Sequence, residues 1–153
     1  MRQLVYVSAA SSTFVPEDLD SILATARRTN PQHGVTGMLL YIDLGFLQVL
    51  EGPDEGVDHI YRRILCDHRH TSQRVLVDRV AEGRLFGDWS MGFDRPSPEQ
   101  AQAESAFAIT RDALNDAVPA SKAIEIATLI GTFYGVNNRD ARSRVTRRAG
   151  TGV

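Results

Sequence analysis

Gln48 is the residue of this 153-residue sequence that most needs a chemical explanation, because it sets an amide inside the apolar run Phe46-Leu47-Gln48-Val49-Leu50. Alternation along a strand puts Gln48 on the same face as Phe46 and Leu50, so the amide is expected to be buried. Leaving a buried amide without a hydrogen-bond partner costs about 1–3 kcal/mol. Either neighbouring backbone supplies the partners or a ligand does. Tyr6 poses the same question in the run Leu4-Val5-Tyr6-Val7, where its hydroxyl needs a partner if the ring joins the core. Most buried tyrosines are plain core residues. Asn30 closes an amphipathic stretch, and an Asn there is ordinarily a helix C-cap, since it tolerates the left-handed conformation. Together, a phenol and two amides from three adjacent elements suit a planar heterocycle carrying carbonyls and ring nitrogens. An amide donates and accepts at once, so its orientation can encode the state of such a ligand.

A second polar group follows in Cys66-x-His68-x-His70. Sulfur and imidazole can bind metals, but the spacing matches no zinc signature, and a solvated loop is the simpler reading. Arg63, Arg69 and His70 can instead meet a phosphate through charge-assisted bonds, or form the solvated end of a helix. The chain carries no G-x-G-x-x-G, Walker-type loop, G-x-S-x-G or H-E-x-x-H, so nothing in it argues independently for hydrolysis or group transfer.

The elements that must position these residues alternate. Residues 3–8 read as a strand that leaves into a small-residue loop. Pro16, Glu17 and Asp18 suit a helix N-terminus, and Leu19, Ile22, Leu23 and Ala26 give that helix one apolar face. It should stop near Asn30, because Pro31 disfavours the helical conformation before it and Gly34 adds a second breaker. Residues 35–42 and 46–51 form a hairpin around Asp43-Leu44-Gly45, with glycine available for positive φ. Gly52-Pro53-Asp54-Glu55 starts a second helix carrying Val57, Ile60, Tyr61 and Ile64 at core spacing. Strands over 73–80 and 89–93 complete a βαββαββ order. Ser97-Pro98-Glu99-Gln100 is a capping box, and a second C-terminal helix is expected from about Pro119, with both packing on the sheet.

Length and composition bound the rest. A chain of 153 residues, 42% hydrophobic, holds one core rather than two. The formal charge of −2 is ordinary, excluding neither solubility nor folding and giving no reason to expect nucleic acid. Charge is uneven: five arginines fall at 139, 142, 144, 147 and 148, against Asp140 alone among the acids of that tail. A solvated, disordered extension is expected there. The single cysteine cannot form an intramolecular disulfide and suits a reducing cytoplasm. No signal-peptide pattern starts the chain, and no apolar run approaches the ~20 residues of a membrane span.

Residues 2–94 resemble the BLUF family of flavin-binding blue-light sensors. The stretches that carry the resemblance are LVYVS, Asp18-Leu19 with Ile22-Leu23, Asn30-Pro31, GVTGMLLY, FLQVLEG, YRRI with Asp67 and His70, and DWSMGF. The resemblance implies an α+β, ferredoxin-like βαββαββ domain over 1–95, with the flavin ring of FAD between the two helices. A helical extension over 96–136 and an Arg-rich tail over 137–153 follow it. By the same resemblance, Tyr6 matches the photoactive tyrosine, Gln48 the switching glutamine, and Asn30 the amide that bonds the flavin's carbonyl edge. Ile22 and Ile64 match residues flanking the ring, and Arg63, Asp67, Arg69 and His70 match a set near the ribityl chain and phosphates. Trp89 and Met91 match a last-strand pair that reports the state of the pocket. Thr29 and Ala26 depart from residues common in the family, which bears on kinetics rather than on the three polar groups.

The function implied is sensory rather than enzymatic: light-driven electron and proton transfer from Tyr6 rearranges the Gln48 hydrogen bonds. The signal would pass to an effector protein or through a homo-oligomer, in the cytoplasm. A small flavin-dependent enzyme and a light-independent interaction module remain alternatives, because one fold hosts many functions.

Overall fold

The computed structural model describes residues 1–42, 44–87 and 90–94. Met1–Asp94 forms a compact unit. The elements are β1 (Arg2–Ala10), α1 (Asp18–Thr29), a 3₁₀ turn (Pro31–His33), β2 (Thr36–Ile42), β3 (Gly45–Gly52), α2 (Asp54–Leu65), β4 (His70–Val80) and β5 (Gly92–Asp94). The helices and tail expected after Ser97 lie outside the described residues.

The five strands form one sheet in the order β4-β1-β3-β2-β5. β1 pairs antiparallel with β3 and β4, β2 pairs antiparallel with β3, and β5 joins β2 in parallel. The first four strands have the ferredoxin-like arrangement the sequence pattern implies. Every residue of the central strand β3 is buried, which is why its apolar run is nearly continuous rather than alternating. Leu4, Tyr6, Phe46 and Leu50 pack with Leu19 and Leu23 of α1 and Val57 and Ile60 of α2. The helices thus cover the Tyr6–Gln48 face.

Local signals set the helix ends. α1 starts at Asp18, two residues after Pro16, because the Val15 and Pro16 carbonyls first close turns with the Asp18 and Leu19 amides, while the Asp18 carboxylate takes the Val15 N–H at 3.0 Å. Asn30 does not adopt the left-handed cap expected of it. It stays right-handed (φ −58°) and Gly34 takes the left-handed position (φ +63°) after the 3₁₀ turn, as suits a residue without a Cβ. Gly56 then lets α2 approach that turn: a Cβ there would overlap the His33 carbonyl. The end of α1 and the start of α2 are thereby held together.

Three boundaries differ from the sequence pattern. The hairpin takes its positive φ at Leu44 (+67°), not at Gly45, which already lies in β3 opposite Ile42. β4 begins at His70 rather than 73, since His70 pairs with Ala10. β5 begins at Gly92 rather than 89, because the carbonyls of Ser90 and Met91 accept bonds from Asn30 and Arg27 of the first helical segment instead of entering the ladder.

Candidate functional site

Tyr6 and Gln48 are direct partners across β1 and β3, and the Tyr6 hydroxyl donates to Gln48 Oε1. On its other side the amide donates from Nε2 to Met91 Sδ at 3.5 Å. Both residues are buried. Burial pushes the Tyr6 phenol well above its ordinary value, with Tyr61 and Asp67 adding to the shift, so Tyr6 keeps its proton throughout the neutral range. Gln48 therefore lies between a neutral donor and a weak sulfur acceptor. Reversing the amide would set Nε2 against the phenol oxygen, which accepts, and Oε1 against a thioether, which cannot donate. Few strong interactions separate the two orientations.

Asn30 is 1% exposed and uses its backbone N–H on Ala26 at 2.8 Å. Its side-chain Nδ2 donates to the Ser90 carbonyl at 2.9 Å. Among the described residues, Asn30 Oδ1 is the buried side-chain polar atom without a partner. Such an atom is costly unless something donates to it.

Asn30 and Gln48 line a narrow cleft of about 160 Å³ between the helices. Ile22, Thr25, Ala26 and Thr29 form the α1 wall, Ile60, Arg63 and Ile64 the α2 wall, and Asp67, Arg69 and His70 one end. Of the residues singled out from the sequence, Ile22, Asn30, Gln48, Arg63, Ile64, Asp67, Arg69 and His70 all meet here. Tyr6 sits behind Gln48, and Met91 touches the amide just before β5 rather than within it. Trp89 lies outside the described residues.

The polar end is more differentiated than the sequence suggests. Arg69 holds Asp67 through contacts of 2.6–3.1 Å and reaches Ser21 of α1 at 3.1 Å. Burial alone would raise the Asp67 carboxyl, but the Arg69 bonds outweigh it and bring it below its ordinary value. Arg69 is thus largely neutralised, whereas Arg63 is exposed and has no ion pair among the described residues. His70 is not on a solvated loop: its ring lies 4.4 Å from that of Phe46, and Nδ1 is 3.0 Å from Ser8 Oγ. Burial pushes its imidazole down, against a smaller upward pull from Asp67 and with Arg69 lowering it further. Cys66 is exposed, and among the described residues no three His, Cys, Asp or Glu side chains gather as a metal site would require.

Sequence reasoning passed over Glu51, Gln3, Arg84 and the Ser90 carbonyl. Glu51 carried a usable signal, since an acid next to the apolar run of β3 raises the same question as Gln48. The Ser90 carbonyl carried none.

Fold and site define a small α+β domain with an interhelical cleft backed by a buried amide held between a phenol and a thioether. The family of BLUF domains, sensors of blue-light using FAD, matches residues 1–92, and the chain belongs to that family. It is 38% identical over 93 residues to the photoactivated adenylate cyclase subunit alpha-like protein FB of Euglena gracilis, a match covering 60% of this chain and 9% of that protein. It is 31% identical over 150 residues to the blue light- and temperature-regulated antirepressor BluF of Escherichia coli strain K12, covering 92% of this chain and 37% of that protein. The chain thus spans about a tenth of the cyclase relative's length. Among solved structures, the dark state of BlrB, a BLUF protein, aligns with a TM-score of 0.64 at 26% identity, covering 86% of this chain and 95% of that one. The family resemblance and the ferredoxin-like fold therefore both hold. No helix among the described residues is long and apolar enough to cross a membrane.

Proposed function

We propose that the cleft holds FAD and that Tyr6 and Gln48 form the light-sensitive switch. The observation that carries this reading is the orphaned Asn30 Oδ1. With one Nδ2 hydrogen spent on Ser90, Asn30 still offers one acceptor and one donor, which suits a ring edge where N–H and C=O alternate. Ile22 and Ile64 would flank the ring. Arg63, the cleft arginine not neutralised by Asp67, would meet the phosphates.

The bound flavin would supply the blue absorption and, once excited, an oxidant. Tyr6 is suited to give up an electron and a proton together, because burial makes a free phenolate inaccessible. Its proton has a defined path to Gln48 Oε1. Losing the phenol donor would free the amide, and the return of the electron and the proton to Tyr6 would leave Gln48 reversed or as its tautomer, with no net change in redox state. The reversed amide presents its oxygen to Met91 and drops the bond to Sδ.

The signal then leaves through a partner protein or an oligomer of this chain, in the cytoplasm, without a chemical step on a substrate. The test is blue illumination of purified protein and of Tyr6→Phe and Gln48→Leu variants, with the released cofactor identified chromatographically. Wild type should show a small reversible red shift and release FAD; both variants should bind flavin without the shift. A normal shift in either variant overturns the assigned roles, and turnover with a reductant favours an enzyme.

A further inference from the structure

The face of the sheet opposite the cleft carries a buried polar row. Arg79 Nε donates to Gln3 Oε1 at 2.8 Å, Gln3 Nε2 donates to Glu51 Oε1 at 2.7 Å, and the Leu85 and Phe86 amides donate to Glu51 Oε2 at 2.8 and 3.0 Å. Glu51 is fully buried. The reciprocal contact comes from Arg84, whose guanidinium donates to the Glu51 carbonyl at 2.8 Å, to the Gly34 carbonyl at 2.6 Å and to Thr36 Oγ1 at 2.8 Å. Side chain of 51 to backbone of 85 and 86, and side chain of 84 to backbone of 51, make a two-way staple between β3 and the segment that follows β4.

That segment runs on to Ser90 and Met91, whose attachments are of a different kind. Ser90 accepts from Asn30, the Met91 carbonyl accepts from Arg27 at 3.2 Å, and Met91 Sδ accepts from Gln48. All three donors belong to the cleft side. One end of the segment is tied by a carboxylate, the other by neutral acceptors, one of them a sulfur.

We propose that Glu51 is a positioning residue for signalling: it anchors residues 84–86 to β3, so that reorientation of Gln48 releases only the 90–92 end. The anchor lies three residues from Gln48 on the same strand, so both ends of the segment take their position from β3. The strand itself does not move when the amide turns; the weaker end does. The number of charge-assisted bonds decides which end that is: the Glu51 carboxylate takes two backbone amides and the Arg84 guanidinium donates to three oxygens, whereas residues 90–91 have one such bond, from Arg27, beside a neutral amide and a sulfur contact. The inference rests on Gln48 being the switch.

Residue-resolved hydrogen exchange of the full flavin-loaded chain, in darkness and under blue light, tests it. In wild type the Leu85 and Phe86 amides should be equally protected in both states while exchange at Met91 and Gly92 accelerates in light. A light-induced loss of protection at 85 and 86 as large as that at 91 and 92 overturns the anchor. Absence of any red shift in wild type would fault the photoreceptor reading instead, so the two failures are distinct.

A pair of variants separates anchoring from simple stability. Glu51→Gln places an NH₂ against Gln3 Nε2, and flipping Gln3 only moves the donor–donor clash to Arg79. Exchange at 85 and 86 should rise by about tenfold or more, with the red shift retained. Adding Arg79→Glu reverses the polarity of the whole row: the carboxylate introduced at position 79 accepts from Gln3, Gln3 accepts from the amide introduced at position 51, and that amide's oxygen accepts from the two backbone N–H groups. That double variant should restore protection at 85 and 86 and confine the light response again. Protection unchanged in Glu51→Gln, or not restored in a folded double variant, overturns the proposal.

Discussion

Two glutamines lie on opposite faces of one sheet and are held in opposite ways. Gln3 is clamped between Arg79 and Glu51, so its oxygen must face the cation and its NH₂ the anion. Gln48 is held between a phenol and a thioether, neither of which is charged. An amide between opposite charges has one orientation, and an amide between weakly discriminating neighbours has two. The same side chain is therefore a fixed tie on one face and, in the proposed function, a switch on the other. The difference is made by the partners, not by burial, since both are buried.

Exchanging the roles by mutation would break the comparison most directly. Gln3→Leu removes the bridge and leaves the Glu51 carboxylate short of a donor, so it should destabilise the fold by about 3 kcal/mol while the reversible red shift survives. Gln48→Leu should abolish the shift at a smaller cost in stability. Urea midpoints and light-minus-dark spectra measured on the same two proteins check this, and a shift lost in Gln3→Leu would mean that the faces are not independent.

Acid should act first on the cleft face. The His70 imidazole is below its ordinary value of 6.5 in the folded protein, so the unfolded chain binds that proton more readily. The resulting stability is present above about pH 6.5 and is lost as pH falls through 6.5 toward the lower folded value. His70→Gln should flatten that part of the curve of unfolding free energy against pH. An unchanged slope would show that His70 is not the group responsible.

The smallest effect concerns the hairpin, away from both glutamines. Leu44 adopts φ +67° and is 53% exposed, a conformation that costs a β-carbon about 1 kcal/mol. Leu44→Gly should raise the unfolding free energy by roughly that amount without altering the spectrum, checked by thermal or urea unfolding.

Much of this architecture is legible residue by residue. The apolar run of β3 announces a central strand, Pro31 and Gly34 mark the end of α1, and the spacing of Val57, Ile60, Tyr61 and Ile64 marks the buried side of α2. Gln48 stands out because an amide in such a run requires a partner. The reading failed where a local signal was overruled from a distance. Gly45 looked like the turn glycine, but pairing with Ile42 pulled it into the ladder. Asn30 does cap α1, but in the right-handed conformation, with its side-chain amide turned to Ser90, sixty residues on.

The sequence by itself determined the order of strands and helices and the placement of a phenol and two amides on elements that must pack together, because period and turn chemistry are local properties of the chain. Only the tertiary structure decided what those groups touch. Strand register brought Tyr6 opposite Gln48, the segment before β5 supplied Met91 and the Ser90 carbonyl, and the arrival of Leu85 and Phe86 turned Glu51 from an odd acid into an anchor. Hydrogen bonds over such separations follow from the closing of the sheet, and no short stretch of sequence encodes them.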